Sequence, residues 1–236
     1  MSVEQRGLRH NARVHSGALT HEARATDAAA QTTKPVIHVV EDDRGMRASL
    51  VRLLESAGFA TRQYGSAAEF LIADRDSEPG CIVLDVGLPG LSGMELQAAL
   101  VRAGDSTPVV FLTGHGDVEM GVQAMKAGAV DFLTKPVRRK ALMAAMETAL
   151  ARDARTRFHN EELRTVRERY ERLTPREREV FARVVAGKLN KQIAGELGTS
   201  ERTIKAHRAQ VMSKMEATSL VELVRMAEML SAQDAA

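Results

Sequence analysis

The sequence predicts two folded bodies: a doubly wound, five-stranded parallel α/β domain over residues 35–150 and an all-α domain over 173–232, joined by a helical linker over 151–172. Three observations carry this reading. Short apolar runs bounded by turn residues alternate with amphipathic segments as far as residue 150, the pattern of βαβ units with strands covered on both faces. Beyond residue 150 such runs stop, and apolar residues fall three and four apart. The charge balance also reverses, from 11 Lys/Arg against 15 Asp/Glu in residues 35–150 to 17 against 13 in residues 151–236. A basic segment behind an acidic domain points toward nucleic acid.

Residues 1–34 are polar, with scattered Arg, His, Thr and Ala and no hydrophobic period, so a disordered extension is expected. His10, His15 and His21 are spaced too irregularly to read as metal ligands. The first strand is Val36–Val40, followed by helix 45–57 with Met46, Leu50, Leu53 and Leu54 on one face. A strand near 59–63, helix 66–73, strand 81–84, helix 93–103 and strand 108–112 come next. Helix 117–127, the short strand 129–133 and helix 138–150 complete the α/β unit. In the charge-dense linker, Leu163, Val166, Tyr170 and Leu173 form a narrow stripe. That stripe fits a helix packed on a partner helix, or equally a solvated helix held by ion pairs; the sequence leaves both open. Helices 175–186, 190–197, 200–215 and 219–230 follow.

Composition narrows the function classes. Aromatics are 3% of residues with no Trp, which argues against a pocket built from stacked rings. The single cysteine, Cys81, lies inside an apolar strand, cannot form an internal disulfide and reads as a small buried hydrophobe. No stretch approaches the roughly 20 apolar residues that span a bilayer, and no secretory core segment opens the chain. A cytoplasmic protein with no membrane partner is expected.

The chemistry gathers at strand ends. Asp85 follows Cys81-Ile82-Val83-Leu84, and the first strand ends in Glu41, Asp42 and Asp43. Open α/β sheets bind ligands at the carboxyl ends of their strands. Several carboxylates in one crevice repel each other unless a divalent cation neutralises them, and such oxygen ligands suit Mg²⁺. Thr113 ends the strand 108–112, and Lys135 follows Asp131-Phe132-Leu133-Thr134 and precedes Pro136, so a hydroxyl and an ammonium join the acids.

These residues resemble a bacterial response-regulator receiver domain over 36–150. The matching motifs are Glu41-Asp42, Asp85 with Leu88-Pro89, Thr113 in Leu-Thr-Gly-His-Gly, and Lys135-Pro136. Asp85 lies 43 residues after Asp42, 28 before Thr113 and 50 before Lys135. The resemblance implies that Asp85 accepts a phosphoryl group, and that Glu41, Asp42, Asp85 and the Gly87 backbone carbonyl hold Mg²⁺. It further implies that Thr113 bonds a phosphoryl oxygen, that Lys135 pairs with the phosphoryl charge, and that Phe132 occupies the aromatic switch position. Glu41 stands where Asp is more usual, and Asp43 is expected to face solvent.

The C-terminal part opens with Thr174 as a helix cap, Pro175 at the first helical position and Glu177 three residues after the cap. Asn190 begins a helix with Ile193, Ala194 and Leu197 facing inward. Gly198-Thr199 makes a tight turn, and Ser200 caps a second helix with Thr203 at its third position. This is a helix-turn-helix pattern. Ile204, Val211 and Met215 face inward, while Arg202, Thr203, Lys205, Ala206 and Arg208 can face outward toward a major groove.

The strings Leu-Thr-Pro-Arg-Glu-Arg-Glu-Val, Gly-Lys-Leu-Asn-Lys-Gln-Ile-Ala and Ser-Glu-Arg-Thr-Ile-Lys-Ala-His-Arg resemble LuxR-type DNA-binding domains. Ser219 to Ala227 resembles their fourth helix, which commonly dimerises. Together the two resemblances indicate the FixJ/NodW/TodT group of response regulators. They imply a sensor histidine kinase, promoter double-stranded DNA and RNA polymerase as partners, a homodimer on phosphorylation, and transcriptional activation. Lys188, Asn190, Lys191, Thr203, Lys205, His207 and Arg208 become DNA-facing candidates beside Arg202, although His207 can instead pack between Ile204 and Val211.

Two rival classes have less support. An aspartate-nucleophile phosphatase would resemble Asp-x-Asp, and this chain reads Asp85-Val86-Gly87. A LuxR-type sensor of small acyl signals would need a ligand domain where the receiver pattern stands.

Overall fold

The computed structural model describes residues 34–74, 78–114 and 118–234. The extension expected over 1–34 lies outside the described residues apart from Lys34, as do His115 and Gly116 of the Thr113 motif.

Five strands, β1 (Val36–Val40), β2 (Ala60–Tyr64), β3 (Gly80–Asp85), β4 (Val109–Thr113) and β5 (Asp131–Thr134), form one sheet in the order β2-β1-β3-β4-β5. Every pairing is parallel. The doubly wound architecture shows in β3, which is buried throughout. Its alternate residues serve opposite faces, as strand geometry requires. Ile82 and Leu84 join the core under α2 (Ala67–Ile72), α3 (Gly93–Arg102) and α4 (Val118–Lys126). Cys81 and Val83 join the core under α1 (Arg44–Ser56) and α5 (Arg139–Glu171), where Leu50, Leu54, Leu142 and Met146 are buried. Burial pushes the Cys81 thiol up to about 12, which keeps it protonated.

The helices start where their caps dictate. Asp43 accepts the Met46 N–H at 2.7 Å and caps α1, so this acid has a structural use at the surface. Ser92 and Glu95 form a reciprocal capping box on α3, as Thr174 and Glu177 do on α6 (Pro175–Val185).

The helix expected over 138–150 and the linker expected over 151–172 are one continuous helix, α5. No Gly or Pro interrupts residues 139–171, so nothing removes a helical hydrogen bond. The apolar stripe packs against the chain's own helices. Val166 and Leu173 are buried in the second core, and Tyr170 meets Phe181 edge-on at 5.3 Å between ring centroids. Leu163 is only half-buried.

That second core also holds Val180 of α6, Ile193 of α7 (Asn190–Glu196), Ile204, Val211 and Met215 of α8 (Glu201–Met215), and Leu223 of α9 (Leu220–Asp234). The turn between α7 and α8 needs a left-handed residue, supplied by Gly198 at φ +62°. Among the described residues, no helix is long and apolar enough to cross a membrane.

Candidate functional site

Parallel pairing brings the carboxyl ends of four strands flush. Val40 pairs with Leu84, so the next residues, Glu41 and Asp85, leave the sheet side by side. Asp85 pairs with Leu112 and Thr113 with Thr134, while the Lys135 amide donates to the Thr113 carbonyl at 2.7 Å. The sheet thereby delivers acids, hydroxyl and ammonium to one crevice. Carboxylate oxygens of Glu41, Asp42 and Asp85 lie within 4.8 Å of one another, the first and last buried and Asp42 exposed. Nζ of Lys135 sits 2.7 Å from Glu41 Oε2 and 3.1 Å from Asp85 Oδ1. At 2.7 Å the ammonium can donate to the Glu41 oxygen, so hydrogen bonding and charge both act in this contact.

Burial raises the Glu41 carboxyl above its ordinary 4.5, the Lys135 contact pulls it back, and the Asp85 charge pushes it up again. Burial lowers the Lys135 ammonium, but its contacts with Glu41 and Asp85 more than offset this and hold it above 10.5. Three carboxylates against one ammonium leave an excess of negative charge, with two of the acids buried. A divalent cation that prefers oxygen ligands fits that donor set. Gly87 lies in the loop beside it; a Cβ there would stand 3.8 Å from Asp85 Oδ2.

Thr113 is buried at the end of β4, beside the acids. Phe132 is half-buried, with its ring 6.2 Å from that of Phe111 and packed over Gly121 of α4.

The second candidate surface lies on α7 and α8. Arg202, Thr203 and Lys205 are exposed on α8, as is Lys191 on α7. Other candidates are partly engaged within the protein. The Thr203 hydroxyl is 2.9 Å from that of Ser200, and Arg208 Nη1 donates to Asn190 Oδ1 at 3.3 Å. Lys188 forms an ion pair with Glu196, which also binds Arg183 at 3.0 Å. His207 is half-buried, three residues from Ile204 and four from Val211.

Residues 37–147 match the family described as response regulator receiver domain, and residues 171–227 the family described as bacterial regulatory proteins, luxR family. The chain belongs to the two-component response regulators. Nodulation protein W of Bradyrhizobium diazoefficiens is 46% identical over 84% of this regulator and 88% of its own length. Transcriptional regulatory protein FixJ of Azorhizobium caulinodans is 48% identical over 81% of the regulator and 90% of its own length. The low-resolution structure of the response regulator StyR superposes with a TM-score of 0.74 at 44% identity, covering 83% of this chain and 98% of that one. The regulator thus couples a receiver domain to a LuxR-type helix-turn-helix domain, the equipment of a DNA-binding transcription regulator. Receiver domains generally use Mg²⁺ at an acidic site, and the cluster of Glu41, Asp42 and Asp85 is the candidate for it here.

Several supporting residues escaped the sequence reading. Arg47 Nη1 donates to the carbonyls of Glu41 at 2.5 Å and Asp42 at 3.2 Å, bracing the acidic loop from α1. Gly93 lets α3 start against the Asp85 backbone, since a Cβ there would fall 2.3 Å from the Asp85 carbonyl oxygen. A helix was expected from residue 93, but the close approach of Gly93 to Asp85 has no local signature.

Proposed function

We propose that Asp85 accepts a phosphoryl group from a partner sensor histidine kinase and that this switches sequence-specific binding to promoter DNA. An Asp85 carboxylate oxygen attacks phosphorus, the bond to the kinase imidazole nitrogen breaks, and that nitrogen keeps the electron pair. Glu41, Asp42, Asp85 and the Gly87 carbonyl would hold Mg²⁺, which supplies charge neutralisation for the transferring oxygens. Lys135 exchanges its contact with Asp85 for one with a phosphoryl oxygen, and the Thr113 hydroxyl donates to another. The observation that carries this reading is the gathering of three carboxylates within 4.8 Å around a strand-end Asp85, with the Lys135 ammonium 3.1 Å away.

Movement of Thr113 toward the phosphoryl group opens room for Phe132 to shift against Gly121. Repacking of that face drives a homodimer, which presents two copies of α8 to paired half-sites. Lys188, Asn190, Lys191, Arg202, Thr203, Lys205, His207 and Arg208 then meet DNA, and the bound dimer, a cytoplasmic activator, recruits RNA polymerase.

The test is labelling by a small acyl-phosphate donor with Mg²⁺. The parent should incorporate one phosphoryl group per chain and Asp85→Asn none. Undiminished labelling of Asp85→Asn would sink the assignment.

A further inference from the structure

Asp153 is a charged residue with 5% exposure, on a stretch of α5 that the sequence reading assigned to the linker. Its Oδ2 accepts the Gly80 N–H at 2.9 Å and the Nε–H of Arg157 at 2.8 Å. The Arg157 guanidinium also donates to the Glu78 carbonyl. Gly80 begins β3, the strand that ends in Asp85. The chain is tightly constrained there, because a Cβ on Gly80 would fall 2.0 Å from the Val36 carbonyl oxygen. A backbone N–H and a guanidinium N–H on one buried carboxylate oxygen offset much of the cost of burying its charge, and removing either partner restores part of that cost.

Beyond Arg157 the same helix changes character. Phe158 is 66% exposed, and His159, Asn160 and Glu161 are exposed too. Arg164 forms ion pairs with Glu161 and Glu168, both on the same helix. Val166 is the first residue of α5 to enter the second core.

We propose that Asp153 and Arg157 clamp α5 to the amino end of β3, so that the receiver body extends to residue 157. The span between the two domains is then residues 158–165, about two helical turns or roughly 12 Å. Asp153 acts as a positioning residue: it fixes the direction in which the DNA-binding domain leaves the strand that carries Asp85. The clamp rests on the proposed function only in treating Asp85 as the phosphoryl acceptor.

Spin labels at Arg102→Cys on α3 and Ala182→Cys on α6, both exposed sites, report the interdomain distance in the full chain; Cys81 is buried and out of their reach. The parent should give a narrow distribution, and Asp153→Ala one at least twofold broader. Arg157→Gln should broaden it as well, and carries the test if Asp153→Ala fails to fold. Asp153→Asn keeps an oxygen for the Gly80 N–H and should broaden it less. Parent-like width in Asp153→Ala or Arg157→Gln overturns the clamp, as does a parent already as broad as its variants.

Amide exchange on the same samples separates a clamp from general loosening. Acceleration confined to Gly80 and residues 151–157 supports it, and equal acceleration across β3 and β4 overturns it. Acyl-phosphate labelling of the parent and of Asp85→Asn in parallel keeps the two readings distinguishable: a failed clamp leaves labelling intact and dependent on Asp85, whereas a failed Asp85 assignment leaves Asp85→Asn labelled like the parent.

Discussion

Lys135 Nζ lies 3.1 Å from Asp85 Oδ1 and ties the end of β5 to the end of β3. The same ammonium reaches Glu41 at the end of β1, so one positive charge serves two buried carboxylates. Lys135→Met leaves both without it. Breaking a buried pair from one side typically costs about 3–5 kcal/mol. The neighbouring exposed Asp42 and the 17% exposure of the Lys135 side chain place the expected loss at the lower end. Urea unfolding should show this loss, and millimolar Mg²⁺ should recover part of it by binding only the folded form.

Gly93→Ala tests how tightly α3 is seated on β3, the strand that ends in Asp85. The added methyl would lie 2.3 Å from the Asp85 carbonyl oxygen, and backbone cannot yield as a flexible side chain does. Overpacking of this kind costs about 1–3 kcal/mol. The expected outcome is a lower unfolding midpoint with slower acyl-phosphate labelling. Gly195→Ala is the control, because a Cβ there meets nothing within 4 Å and its helix should gain up to about 1 kcal/mol.

Glu177 links acid stability to the DNA-binding domain. Its Oε2 accepts from Lys214 at 2.6 Å and from the Thr174 N–H at 2.7 Å, joining the start of α6 to α8. The Lys214 hydrogen bond, with the Thr174 contacts behind it, holds the carboxyl below its ordinary 4.5. A lowered folded pKa means stability that is complete above 4.5 and lost as pH falls through the folded value. Unfolding curves should therefore show parent and Glu177→Gln converging below pH 4.5. A constant gap down to the acid limit would count against the link.

Charge on the proposed DNA-facing surface is partly held back by Glu196, which pairs with both Lys188 and Arg183. Glu196→Gln should release two cations and tighten binding to a random-sequence duplex at low salt. Lys205→Ala should weaken that binding and lower the slope of log affinity against log salt by about 1. Fluorescence anisotropy across a salt titration measures both. An unchanged slope in Lys205→Ala would move the interface elsewhere.

The α/β alternation, the capping residues Thr174 and Ser200, and the inward face of α8 were legible because each is a local pattern of a few residues. Asp85, Thr113 and Lys135 were legible for a related reason: parallel strands must place their carboxyl ends together, so spacing along the chain implies proximity in space. The stripe of residues 163–173 left packing and solvation equally open, because periodicity shows an apolar face without showing what covers it; nor does periodicity reveal the contact of Asp153 with Gly80.

The sequence by itself determined the two domain types, the acidic strand ends and the helix-turn-helix, because hydrophobic period and cap chemistry are encoded in neighbouring residues. Only the tertiary structure decided what braces them. The Asp153 contact joins residues 73 apart, Arg47 reaches back to two loop carbonyls, Gly80 lies against the Val36 backbone of β1, and Gly93 lies against the Asp85 backbone. Such contacts depend on how layers stack, and a linear pattern carries no record of a neighbour that only folding supplies.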